Sequence, residues 1–86
     1  MSELLKHFER RAALRLARIA IDEAWADSPP ADVCAILDAA INGGSIAQTR
    51  EAVRQALAAL PDLMFASQYP PSVGIAVRAL EAVETA

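Results

Sequence analysis

Four arginines fall within nine positions of the stretch RRAALRLAR, residues 10–18, of a chain whose formal net charge is −3. A guanidinium is planar, permanently charged, and grips carboxylates or phosphates through paired N–H donors. At 100° per residue, Arg11, Arg15 and Arg18 share one narrow helix face, which Asp22 continues. Arg11 and Arg15 repel one turn apart while Arg18 and Asp22 attract, each by roughly a few tenths of a kcal/mol, so the effects nearly cancel. Stability alone does not call for the stripe. It reads either as a solvated face whose long stems cover apolar neighbours, or as a surface for an anion or a protein partner.

The other chemistry-bearing residues are scattered. His7 is the only histidine and, close to a fraying terminus, is expected to be solvent-exposed rather than a general base. Cys34 has only apolar neighbours in sequence and reads as a small buried hydrophobe. Asp22 and Glu23 point to different sides of their helix, a poor acid–base or metal pair. NGG at 42–44 lacks the lysine and preceding strand of a phosphate loop. No metal-ligand spacing appears among His, Cys, Asp and Glu. The expectation is therefore no catalytic residue, no cofactor, no metal and no enzyme.

A second candidate surface lies in LPDLMFASQYPP, residues 60–71. Leu63, Met64, Phe65 and Tyr69 place four large side chains in a short proline-bounded segment, too many for a small core to absorb by helical periodicity. Methionine and aromatic residues are enriched where proteins bind proteins. The competing reading is that Met64 and Phe65 plug one end of the fold. Trp25, on the arginine side of the first helix beside Leu14 and Ile21, is either the main core anchor or half of a contact patch. The candidate partner-binding residues are thus Arg11, Arg15, Arg18, Trp25, Leu63, Met64, Phe65 and Tyr69.

The elements that must position these residues read as helices. Ser2 caps the first, and Leu5, Phe8, Ala12, Leu16 and Ile19 recur at spacings of 3, 4, 4 and 3, a single apolar stripe. Ala13, Ala17, Ala20 and Ala24 add a narrower second one. DSPP stops this helix near Ala26, and Pro30 suits the first position of the next. Val33, Ile36, Leu37, Ala40 and Ile41 form its buried face, and NGG ends it through a left-handed cap. Ser45 and Gln48 make a capping box for a third helix starting near Ile46, with Ile46, Val53, Leu57 and Leu60 inward. Pro61 ends that helix and opens a short fifth one over DLMFAS. The last helix, from about Ser72, buries Val73, Ala76, Val77, Leu80 and Val83, with Gly74 marking a close crossing. WADSPPADVCAIL and FASQYPPSVGIAV echo one another, as a duplicated helical hairpin would.

Length and composition set the frame. Eighty-six residues make one helical domain, 1–86, with no room for a second core. Apolar residues are 55% of the chain, and alanine supplies much of that, so the core is thin and a homodimer would enlarge it. The fold expected is all-α: a compact bundle of four helices, or five with the short one, broken at its Pro-Pro and Gly-Gly pairs. No stretch approaches the ~20 apolar residues of a membrane span. The single cysteine and the lack of a cleavage-site pattern point to the cytoplasm. In size, acidity and helical content the chain resembles small helical inhibitor, immunity and phage-encoded antagonist proteins, a likeness of architecture that carries over no residues.

The expected function is a non-enzymatic protein-binding module: an inhibitor, adaptor or accessory subunit acting on a partner protein's surface. Acidic Asp22, Glu23, Asp27, Asp32 and Asp38 offer a further route, by mimicking nucleic-acid charge toward a basic partner. The alternative is a dimeric nucleic-acid-binding regulator using the basic face of helix one. The acidic balance disfavours nucleic acid. A membrane surface is disfavoured because burial within the domain explains the apolar N-terminal face better.

Overall fold

The structure, a computed structural model, describes residues 3–25, 28–60 and 69–84. Four helices run through them in the order α1 (Glu3–Trp25), α2 (Ala31–Ile41), α3 (Ile46–Ala59) and α4 (Pro71–Glu84), and the described residues contain no strand. The expected short helix over 62–67, and with it Leu63, Met64 and Phe65, lies outside the described residues.

Local chemistry accounts for where the helices begin and end. Ser45 Oγ accepts from the Gln48 backbone N–H at 3.2 Å while Gln48 Oε1 accepts from the Ser45 N–H at 2.7 Å. The capping box is therefore reciprocal, and α3 starts at Ile46. Pro71 is the first residue of α4, where its missing N–H would have no partner anyway. Pro30 sits one place earlier than expected: it is the N-cap of α2, in extended conformation, and Ala31 opens the helix. After α2, Gly43 takes φ +124°, a left-handed backbone that side chains resist.

The core is made of small residues facing one another. Ala13, Ala17, Ala20, Ala40, Ala52, Ala56 and Ala76 are buried in one cluster with Leu14, Ile21, Leu37, Leu80 and Val73. Alanine faces let helix axes approach closely, and α1, which touches all three other helices, packs most extensively on α4. The Cα envelope is 37 × 24 × 15 Å. Fifteen ångströms is about one interaxial distance of 8–10 Å plus a Cα radius of 2.3 Å on each side, so the molecule is two helices thick.

This packing inverts the expected face of α1. The stripe Leu5, Phe8, Ala12, Leu16 and Ile19 is exposed, and the alanine stripe beside Leu14 and Ile21 is the one that is buried. On α3 the expected Val53 and Leu60 are buried, together with Thr49, Ala52 and Ala56, while Ile46 is exposed and Leu57 half-buried. On α2, Cys34, Leu37 and Ala40 are buried, and Val33, Ile36 and Ile41 only partly so. The face expected on α4 is buried, apart from half-buried Val83.

Gly74 does not mark a close crossing. A Cβ built there meets nothing within 4 Å, and the residue lies inside α4. Gly74→Ala is therefore expected to stabilise the fold by about 0.5–1 kcal/mol through helix propensity and unfolded-state entropy, read as a higher denaturation midpoint.

Candidate functional site

The arginine stripe is drawn inward at two of its three positions. Arg11 Nε donates to the Ile41 carbonyl oxygen at 3.0 Å, and its Nη2 donates to the same oxygen. Ile41 is the last residue of α2, a helix with no basic residue in its final turn. A cation from α1 thus satisfies an orphan carbonyl and meets the negative end of the α2 dipole. Arg18 Nε donates to Asp38 Oδ1 at 3.0 Å, tying α1 to α2, and its Nη1 pairs with Asp22 one turn along α1. Its pKa is raised, first by the hydrogen bond it donates to Asp22 and also by that to Asp38, against a burial that lowers it. Arg15 alone of the three is exposed.

Trp25 plays a comparable part at the other end of α1. Its indole Nε1 donates to the Ala59 carbonyl oxygen at 3.0 Å, terminating α3, while the ring stays half exposed. Trp25 and Tyr69 come together around a hollow of about 280 Å³ that Ala24, Ala59 and Leu60 complete. Leu14 and Ile21 are fully buried whereas Trp25 is 45% exposed, so Trp25 is not the main core anchor.

His7 is half-buried rather than exposed, with Nδ1 3.4 Å from Thr49 Oγ1. The Thr49 hydroxyl donates to the Ile46 carbonyl oxygen at 2.8 Å, so in this contact Nδ1 is the donor. That arrangement serves a buried threonine. Cys34 is buried and unbridged. Among the described residues no group of three or more His, Cys, Asp or Glu side chains is placed to hold a metal ion. Nor, among them, is any helix long and apolar enough to cross a membrane.

A run of exposed apolar side chains lies on a face that the periodicity marked as core. Leu5, Phe8, Leu16 and Ile19 line the outer side of α1 around exposed Ala12, with Phe8 at 55% and Ile19 at 53% exposure. Exposed Glu9 and Arg15 flank it, one on each side. Isolated exposed apolar residues are ordinary, but a continuous stripe at i, i+3, i+7, i+11 and i+14 on one helix is the pattern of a contact face. The sequence signal for it was the second apolar stripe on α1: one helix face enters a thin core, so two such stripes leave one outside. No family model, curated protein or solved structure matches this chain.

Proposed function

We propose that the protein is a non-enzymatic protein-binding module that occupies the surface of a partner protein through the outer face of α1. The observation that carries this reading is the outward stripe Leu5, Phe8, Ala12, Leu16 and Ile19. It has the anchor spacing of an amphipathic helix laid into an apolar groove, with Phe8 as its aromatic anchor. Arg15 and Glu9 on its rim set register and steer encounter. The partner is accordingly a protein presenting an apolar groove with charges of both signs along its edges. Inhibitor, antagonist, adaptor and accessory-subunit roles all follow from such occupation. The same reading takes the fold as a compact four-helix bundle broken at its Pro-Pro and Gly-Gly pairs, a rigid platform for α1. The Trp25–Tyr69 hollow is a second, smaller contact.

The test is the double variant Phe8→Glu, Ile19→Glu, with far-UV circular dichroism and the melting temperature confirming an intact fold. Stoichiometric protein partners captured from nuclease-treated lysate by the wild type are expected to bind the variant at least ~30-fold more weakly, the effect of losing a hot-spot anchor. A wild-type dimer that the variant turns into a monomer would make the occupant a second copy. Equal capture by both proteins would remove α1 from the interface. Nucleic acid retained in untreated lysate, with no protein partner, would replace this reading by the nucleic-acid regulator.

A further inference from the structure

A cavity of about 360 Å³ opens where α1, α3 and α4 meet. Arg10 lines it from α1, Val53 and Arg54 from α3, and Val83 and Glu84 from α4. Arg10 stands about 160° round α1 from Ala12, the centre of the outward apolar stripe. A molecule held in the cavity therefore leaves that stripe free.

Arg10 is the residue that points to a ligand. It is only 5% exposed, and its Nη1 is buried without a hydrogen-bond partner. A buried amine or carboxyl can shed its charge by shifting its pKa, but a guanidinium stays protonated. A buried charge left unpaired is strongly destabilising, and a counter-ion relieves it. The described side chains around Arg10 do not supply one. Lys6 and Arg50, also in the lining, are cations with partners of their own. Arg54 reaches Glu51 at 3.4 Å. Glu84 is exposed, and Arg10 Nη1 remains unmet.

We propose that this cavity binds the carboxylate of a small molecule with an apolar body, gripped by Arg10. One carboxylate brings what Arg10 lacks: a single negative charge, and two oxygens in the plane of its donor fork. Val53 and Val83 give the body of the molecule an apolar wall. The volume lies in the range of small-molecule sites and exceeds what a bare carboxylate fills.

Calorimetric titration and thermal denaturation with benzoate, hexanoate and acetate test the site. Benzamide, hexanamide, inorganic phosphate and sodium chloride at matched ionic strength are the comparisons. Benzoate and hexanoate are expected to bind and raise the melting temperature, acetate to do so more weakly, and the two amides and chloride not at all. Arg10→Met should weaken benzoate binding about 10-fold or more, the loss of a charge-assisted contact. It should also raise the melting temperature of the ligand-free protein, because the unpaired buried charge is gone. Arg10→Lys keeps that charge but loses the planar fork, and should weaken binding several-fold, which keeps the test decisive if Arg10→Met fails to fold. Val83→Ala, at a half-buried position in the last turn of α4, should weaken benzoate and hexanoate and leave acetate unchanged. No heat and no thermal shift with any carboxylate at millimolar concentration would overturn the proposal. So would undiminished binding in Arg10→Met or Arg10→Lys, or amides that bind as tightly as the acids. Phosphate binding more tightly than benzoate would overturn the carboxylate assignment. Acetate binding as tightly as benzoate and hexanoate, or Val83→Ala binding all three as the wild type does, would overturn the apolar part.

Discussion

Ile21→Ala is expected to lose about 2–5 kcal/mol of unfolding free energy, and Ile19→Ala to change it by less than ~0.5 kcal/mol. The two residues are the same type, two positions apart on one helix, and the same three carbons are removed from each. Ile21 is 0% exposed and belongs to the core cluster, whereas Ile19 is 53% exposed. Removing the first loses its transfer free energy and opens a cavity among alanines, which have no side chain long enough to fill it. Removing the second trims solvated surface, and alanine's better helix propensity offsets part of what is lost. Against the roughly 4–13 kcal/mol expected of an 86-residue domain, the Ile21 loss is a large fraction. Urea denaturation of both variants is the measurement. Equal losses would mean that α1 is buried on both sides and has no free stripe for a partner.

Gly44→Ala is expected to cost about 1–3 kcal/mol, opposite in sign to the gain at Gly74. A Cβ on Gly44 would stand 2.7 Å from the Ala40 Cα, 3.2 Å from the Gln48 Cβ and 3.3 Å from the Ala40 carbonyl oxygen. The nearest of these atoms is backbone and cannot swing away, so the turn must open. Opening it strains the Gly44 N–H to Ala40 carbonyl bond, 3.2 Å long, and the capping box that starts at the next residue. The effect is steric, with no part played by positive φ at residue 44; that demand falls on Gly43. A lower denaturation midpoint with an unchanged m-value would confirm it, since the compactness of neither state changes. An unchanged midpoint would show that the α2–α3 turn yields without cost.

The elements themselves were legible in the chain because their signals are local. Ser45 and Gln48 are three residues apart, and a capping box needs nothing beyond them. The inward set Val73, Ala76, Val77 and Leu80 follows from one helix's own periodicity, although α4 starts at Pro71, one residue before the Ser72 expected. Which α1 stripe enters the core was not legible, because periodicity gives the angle between two apolar faces but not which of them meets another helix. The wider stripe has the larger side chains, yet it is the alanines that let α1 lie close against three neighbours, and closeness set the choice.

Tertiary structure likewise decided what the arginines do. In sequence Arg11, Arg15 and Arg18 are one stripe, but the end of α2 lies beside two of them and takes Arg11 onto Ile41 and Arg18 onto Asp38. Arg10 lies outside that stripe, and its burial beside Lys6, Arg50 and Arg54 depends on residues 40 and 44 positions away along the chain. Spacing along one helix determines which residues share a face. Only the packing of other helices determines whether that face meets carbonyls, cations or water.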